Sequence, residues 1–204
     1  MADEYTAFAL AEFDQVRSDR ASLLTFAERA APHGAEVADV GCGPGHVTDH
    51  LAVLGLDVVG YDISSALLSR ARRTYPSLAF VQGDLAALGT GDASLGGIVS
   101  RYSLIHTPLR AHASVFAEWH RVLRPRAPLL LSFFAAGAVE SHGTPFDHAV
   151  TTAYALFPPT VERQLTDAGF TDLDVTVRTP RPGARPLDHA TISARGSGQS
   201  VATR

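Results

Sequence analysis

A group of closely spaced glycines after a short apolar run constrains this chain more than any other feature. Residues 37–40 (VADV) have the pattern of a buried strand, residues 41–45 (GCGPG) that of a tight turn, and residues 46–55 that of a helix. Glycine permits positive φ angles and places no Cβ between the backbone and a bound molecule, while proline fixes one φ angle. The sequence therefore predicts a strand–turn–helix unit whose turn holds a ligand.

The spacing of these glycines and a later acid indicate which ligand. Asp62 ends the next apolar run, roughly twenty residues on, where the ribose-binding acid of a nucleotide site stands. The glycines follow G-x-G-x-G, and the dinucleotide pattern that presents a pyrophosphate to a helix N-terminus is G-x-G-x-x-G. We therefore expect a cofactor that contains ribose and lacks a pyrophosphate. An NAD-type oxidoreductase on a similar sheet is the alternative that this spacing opposes.

With Asp39 placed before the turn, the loop resembles motif I of the class I S-adenosylmethionine-dependent methyltransferases, written D-x-G-C-G-x-G. Strands that alternate with helices and end in a hairpin indicate an α/β, doubly wound, mostly parallel sheet. The resemblance covers roughly residues 35–195 and implies seven strands in the order 3-2-1-4-5-7-6, the last one antiparallel. It also implies S-adenosyl-L-methionine as cofactor and S-adenosyl-L-homocysteine as product, and an acid at position 39 fits that cationic cofactor.

Two further segments extend the resemblance. Residues 83–85 (GDL) follow the third predicted strand, and the resemblance implies that Asp84 meets the adenine amino group and that the next N–H meets a ring nitrogen. Residues 101–108 (RYSLIHTP) follow the fourth strand and look like motif IV, with Gly97 where an acid is common. The cofactor-binding residues that we predict are Tyr5, Asp39, Gly41, Cys42, Gly43, Gly45, Asp62, Ile63, Gly83, Asp84, Leu85, Ser100, Arg101 and Tyr102.

A hydroxyl acceptor must lose a proton, and histidine has an unperturbed pKa suited to removing it. His106 on the motif IV segment is the first choice for this base, although a structural role for it stays open. His142 and His148 are rival bases, with Asp147 and Glu140 behind them. Two more histidines, His112 and His120, are expected on the surface of a helix over residues 109–123. We identify no metal site and predict metal-independent activity.

The resemblance also divides the chain, which we expect to form a single methyltransferase domain over residues 1–195. Residues 4–16 resemble a segment that folds over the cofactor, and glycine, proline and histidine interrupt the apolar pattern after the fifth strand. The predicted parts are an N-terminal helical lid (1–34), a cofactor-binding core (35–134), a substrate cap inserted after strand 5 (135–159), the last helix with the terminal strand hairpin (160–195), and a disordered tail (196–204).

Charge and cysteine content narrow the partners. The net charge of −4 gives no basic footprint for nucleic acid or a membrane surface, and the one cysteine, Cys42, leaves no disulfide. We expect a cytoplasmic monomer or homodimer that acts on an oxygen or nitrogen of a small-molecule metabolite or biosynthetic intermediate, as in secondary metabolism. A family member that binds the cofactor without transferring its methyl group is the remaining alternative.

Overall fold

The structure is a computed structural model that describes residues 17–137, 143, 145–146 and 152–198, with the side chains of the first helix described from Arg20 onward. The α-helices of this part of the chain are α1 (Arg17–Ala30), α2 (His46–Val53), α3 (Ser65–Thr74), α4 (His112–Val122) and α5 (Pro158–Asp167). Its strands are β1 (Val37–Val40), β2 (Val58–Asp62), β3 (Ala79–Gln82), β4 (Gly97–Arg101), β5 (Pro128–Ala135), β6 (Pro145–Phe146), β7 (Ala153–Tyr154), β8 (Phe170–Arg178) and β9 (Asp188–Gly196).

Seven of these strands form one sheet in the order β3-β2-β1-β4-β5-β9-β8. The five strands from β3 to β5 are parallel, and β9 is antiparallel to both β5 and β8. Counted along this sheet alone, the order is 3-2-1-4-5-7-6, which confirms the predicted fold. In open α/β sheets of this kind, ligands bind outside the carboxyl ends of the strands where the order reverses, here between β1 and β4.

Helix α1 packs into one face of the sheet. Leu23 and Phe26 are buried there with Val99 of β4 and Leu130 of β5. A Cβ on Gly97 would lie 2.7 Å from Phe26 Cζ, so the acid that is common at this motif IV position does not fit against α1. The second half of the predicted lid is thus a core helix. The lid prediction now applies to residues 1–16, which lie outside the described residues together with Tyr5.

The opposite face carries α4 and α5. Phe116 and Trp119 of α4 are buried against alternate residues of the central strands, among them Ile98 and Leu129, and Leu165 brings α5 into the same cluster. Because successive strand residues point to opposite faces, near-continuous apolar runs such as 128–135 pack on both sides. Helices therefore cover both faces of the sheet.

Two boundaries differ from the sequence prediction. The helix expected from Leu109 begins with a short 3₁₀ turn over Leu109–Ala111, and the α-helix starts at His112. The disordered tail expected from residue 196 is wrong for residues 196–198, because Gly196 ends β9 and pairs with Phe170, and Ser197 contacts His120.

Among the described residues, no helix has the length and apolar content needed to cross a membrane.

Candidate active site

A cavity of about 570 Å³ opens at the carboxyl ends of β1, β2 and β4, where the fold predicts a ligand site. Four predicted cofactor residues line it from the glycine turn and the end of β2: Gly41, Gly43, Asp62 and Ile63. Four more line it from the ends of β3 and β4: Asp84, Leu85, Arg101 and Tyr102. His106 lies on the same wall, so the structure brings the first-choice base and most of the predicted cofactor residues to one cavity.

The glycine turn is built by backbone geometry. Gly41, Gly43 and Gly45 have φ angles of +78°, +54° and +89°, which side chains rarely adopt. A Cβ on Gly41 would lie 2.1 Å from the Cβ of Ser103, whose hydroxyl donates to the Val40 carbonyl oxygen at 2.9 Å. The turn and the motif IV loop therefore touch directly, and only glycine at position 41 permits this approach.

Asp62 links the glycine turn to the start of α3. Its Oδ2 accepts a hydrogen bond from the Gly43 N–H, and its Oδ1 accepts one from the Ser64 N–H, both at 2.8 Å. Each carboxylate oxygen has a second lone pair, so Asp62 retains acceptor capacity toward hydroxyl groups in the cavity. Ser64 in turn caps α3, because its hydroxyl accepts from the Leu67 N–H at 3.3 Å.

Asp39 lies behind the turn and does not line the cavity. Its Oδ2 accepts a hydrogen bond from the Thr48 hydroxyl at 2.7 Å, and the residue is 1% exposed. Burial raises the pKa of this carboxyl to about 7, while the Thr48 hydrogen bond and the Arg101 charge act in the opposite direction. Asp39 can therefore act on a ligand through its field, and through the helix start that it supports.

Four other predicted cofactor residues are not among the residues that line the cavity, namely Cys42, Gly45, Gly83 and Ser100. Cys42 is buried with Phe80, and burial raises the pKa of its thiol far above the usual range, so it is a small packing residue. A Cβ on Gly45 would lie 2.8 Å from Phe80 Cζ. These residues shape the turn from beneath.

Helix α4 fixes the loop that follows β3. Asp84 Oδ1 accepts from the Ala86 N–H at 2.8 Å, which closes a local turn, and Trp119 Nε1 donates to the Leu85 carbonyl oxygen at 3.0 Å. The Leu88 N–H donates to Glu118 Oε1 at 2.9 Å. Two side chains of α4 thus hold the backbone that follows Asp84, and Asp84 itself lines the cavity.

His106 is held by the described end of the predicted cap. Its Nδ1 lies 3.1 Å from the Thr152 carbonyl oxygen, which can only accept, so Nδ1 carries the proton and the neutral ring has its lone pair on Nε2. Burial lowers the pKa of His106, and the Thr152 contact partly offsets this. The neutral form, which a proton acceptor requires, is therefore favoured. His142 and His148, with Glu140 and Asp147, lie outside the described residues.

Comparison with known proteins shows what the chain is similar to. A family model described as a methyltransferase domain matches residues 37–126. A probable S-adenosylmethionine-dependent methyltransferase from Mycolicibacterium smegmatis is 34% identical over 99 residues, which cover 48% of this chain and 38% of that protein. An O-methyltransferase from Penicillium expansum is 32% identical over 179 residues, which cover 81% and 62%. Together these matches support the resemblance to the class I S-adenosylmethionine-dependent methyltransferases that the motifs predicted.

A solved structure is similar to this chain over nearly its whole length. It is the 1,6-didemethyltoxoflavin-N1-methyltransferase from Burkholderia thailandensis, bound to 1,6-didemethyltoxoflavin and S-adenosylhomocysteine. The two match with a TM-score of 0.67 and 25% identity, over 97% of this chain and 91% of that one. By contrast, the sequence matches to the first curated relatives cover about half of their length or less.

Sequence reasoning missed two histidines of this chain. His112 was expected on the surface but is fully buried, with Nε2 at 3.1 Å from the Thr107 carbonyl oxygen and Nδ1 at 3.3 Å from the Gln164 side-chain amide. His189 is buried in β9, with Nδ1 at 2.7 Å from the Tyr102 hydroxyl. The period of α4, which places His112 in line with Val115 and Trp119, could have revealed the first; no local pattern marks the second.

One spacing was also overlooked in the metal prediction. His46 and His50 stand four residues apart on α2, a pattern that binds metal ions in some proteins. Arg101 lies near His50, and burial and this charge both lower the pKa of His50. Within the described part of the chain, no group of three or more His, Cys, Asp or Glu residues could hold a metal ion.

Proposed function

We propose that this protein transfers a methyl group from S-adenosyl-L-methionine to an oxygen or nitrogen of a small-molecule metabolite or biosynthetic intermediate. The observation that carries the proposal is the Asp62 carboxylate, which lines the cavity and accepts hydrogen bonds from the Gly43 N–H in the bare glycine turn and from the Ser64 N–H before α3. The family relatives support the reaction class, since they are named as methyltransferases acting through this cofactor or on oxygen or nitrogen.

The residues of the cavity fit this cofactor. Asp62 offers acceptors to ribose hydroxyls, and Asp84 offers an acceptor to the adenine amino group. The negative charge of Asp62 suits a cationic ligand, whereas a pyrophosphate would meet it unfavourably, and Asp39 adds to this field when it is ionised. Arg101 is the cationic residue of this wall, and we assign it to the carboxylate of the methionine part.

The protein contributes positioning to the reaction. When bound, the cofactor supplies an electrophilic methyl group on sulfur, and the acceptor must approach from the side opposite sulfur. Holding the acceptor in that line can lower the activation free energy by about 7–11 kcal/mol. The motif IV loop, pinned to β1 through Ser103 and to α4 through His112, forms the wall on which the acceptor is oriented.

His106 is the proton acceptor in this proposal. Its neutral form is favoured by burial, its Nδ1 proton is directed at Thr152, and its Nε2 has the lone pair that would take a hydroxyl or ammonium proton from the acceptor. The described end of the predicted cap supplies that Thr152 contact, so closure of the cap and orientation of the base would be linked.

Calorimetric titration with S-adenosylhomocysteine and, separately, with NAD⁺ tests the cofactor. We expect saturable heat at one site per chain for the first ligand and none for the second. Heat with NAD⁺ alone would contradict the proposal. Formation of S-adenosylhomocysteine from S-adenosylmethionine with a panel of hydroxyl and amine metabolites then separates a transferase from a family member that binds the cofactor without reaction.

Replacement of His106 by Gln tests the base once an acceptor is found. We expect turnover to fall about 100-fold, because general bases typically contribute at least that much, with an unchanged Kd for S-adenosylhomocysteine. His120→Gln changes a histidine of α4 that contacts Ser197 and is the matched control. Unchanged turnover in His106→Gln would exclude this base.

Full turnover in the presence of a chelator is expected as well, and loss that Mg²⁺ or Zn²⁺ restores would refute metal independence.

A further inference from the structure

Tyr102 has the most constrained side chain of the cavity wall. Its hydroxyl lies 2.7 Å from Nδ1 of the buried His189, and Arg178 Nη2 donates to the same oxygen at 3.4 Å. These geometries fit a hydroxyl proton that is donated to Nδ1 of a neutral His189. Both partners belong to the terminal hairpin, so β8 and β9 reach a residue that lines the cavity at the end of β4.

The ring and the backbone of Tyr102 are fixed as well. The ring packs against Phe134 at a centroid distance of 5.0 Å and meets the His189 ring edge-on at 5.6 Å. Its φ angle is +53°, which costs a residue other than glycine roughly 1–3 kcal/mol, and its N–H donates to the Ser132 carbonyl oxygen at 2.8 Å. A strained residue persists only where its surroundings over-determine it, and strained residues cluster at functional sites.

The neighbour that this ring supports is Arg101. The Arg101 guanidinium carbon lies 5.6 Å from the Tyr102 ring centroid, within the range of a cation–π contact. Arg101 also lines the cavity, and its charge acts on Asp39 behind the glycine turn. The guanidinium therefore lies beside the Tyr102 ring, and Arg101 lines the cavity at the end of β4.

We propose that His189 and Tyr102 are positioning residues that hold the Arg101 guanidinium in place for the carboxylate of the cofactor. This inference rests on the proposed function. It adds the terminal hairpin, which lies outside the residues matched by the family model, to the cofactor site. The hairpin then acts on the cofactor through one hydroxyl hydrogen bond and one aromatic face, without touching the cofactor itself.

Two ligands separate this role from a general structural one. S-adenosylhomocysteine has the carboxylate, whereas 5′-methylthioadenosine keeps the adenine and ribose and lacks the amino-acid part. Tyr102→Phe removes only the hydroxyl oxygen, and His189→Phe removes its partner while keeping a ring. We expect both variants to weaken S-adenosylhomocysteine about fivefold and 5′-methylthioadenosine less than twofold, as for loss of one hydrogen bond. His189→Gln, which retains an acceptor, should restore most of the affinity.

A double-mutant cycle and a matched control complete the experiment. In an Arg101→Gln background, Tyr102→Phe should have no further effect on the Kd of S-adenosylhomocysteine, because the group that it positions is gone. Val177→Ala, beside Arg178 and 51% exposed, should leave both Kd values unchanged. Equal weakening of both ligands, or additivity in the cycle, would overturn the positioning role while the proposed function stands. If the wild-type protein binds neither ligand, the proposed function itself fails. Should His189→Phe not fold, Tyr102→Phe alone decides between these outcomes.

Discussion

The two halves of the cavity are held in different ways. In the cofactor half, Asp62 bonds to backbone N–H groups 19 and 2 residues away, and the turn glycines meet their neighbours without side chains. In the acceptor half, the loop after β4 is held by His106, which contacts Thr152 46 positions away, and by His112, which contacts Gln164 52 positions away. A site made from local backbone is visible as a motif, and one made from distant side chains is not.

The sharpest way to break the cofactor half is Gly41→Ala. A Cβ at this φ of +78° would meet Ser103 at 2.1 Å, so strain and overpacking together should cost about 5 kcal/mol of unfolding free energy and abolish binding of S-adenosylhomocysteine. Urea unfolding and calorimetry measure both.

The matched control for that change is Gly55→Ala. Gly55 has a φ of +89° with open space around it, so the variant carries the backbone strain without the clash and should cost about 2 kcal/mol. Equal losses in the two variants would mean that the contact between the turn and the motif IV loop contributes nothing.

Asp39 makes the cofactor half dependent on pH. Burial raises its pKa from 3.8 to about 7, so the folded cofactor-free protein binds the proton more tightly than the unfolded chain does. The associated stability is fully present below about pH 4 and is lost as pH rises through 7, by about 4 kcal/mol at pH 8. Asp39→Asn removes the charge and keeps an acceptor for Thr48.

The variant should therefore be about as stable as the wild type at pH 4 and more stable by about that amount at pH 8, in urea unfolding without cofactor. Asp172→Asn, an exposed carboxylate beside Arg126 at the opposite edge of the sheet, is the control and should show no such pH dependence. A constant difference between Asp39→Asn and the wild type across this range would contradict the assignment.

His112→Phe disturbs the acceptor half. The Thr107 carbonyl and the Gln164 amide would lose a buried partner, which should cost about 2 kcal/mol in unfolding free energy while changing the Kd of S-adenosylhomocysteine less than twofold. His120→Phe, on the same helix and partly exposed, should cost less than 1 kcal/mol. Strong loss of cofactor affinity in His112→Phe would show that the two halves are not separate.

The same contrast explains what could be read from the sequence. The alternation of strands and helices, the glycine turn, and the positions of Asp62 and Asp84 after their strands were predictable, because period, turn chemistry and a fixed spacing each leave a local pattern, whereas the strand order came from the family resemblance. The burial of His112 depends on Gln164, 52 residues away, and the link from His189 to Tyr102 spans 87 residues. Neither leaves such a pattern, because tertiary packing brings these residues together.

The position of Asp39 shows a different limit. The motif includes this residue, but spacing alone does not say whether a carboxylate faces the cavity or a helix, and here it accepts from the Thr48 hydroxyl at 2.7 Å behind the turn. Likewise, the absence of an acid at position 97 became understandable only when Phe26 of α1 was found against it. Such outcomes are set by which face of a strand is covered, and by what.

The most direct test of the cofactor site is calorimetry with S-adenosylhomocysteine on the wild-type protein and on Asp62→Asn, with Asp172→Asn as the control. Asparagine has one acceptor oxygen, so either the Gly43 or the Ser64 N–H loses its partner. We expect the Kd to rise about 30-fold in Asp62→Asn and to stay unchanged in Asp172→Asn. No binding by the wild type, or the same Kd in all three proteins, would contradict a cofactor held by Asp62 at the glycine turn.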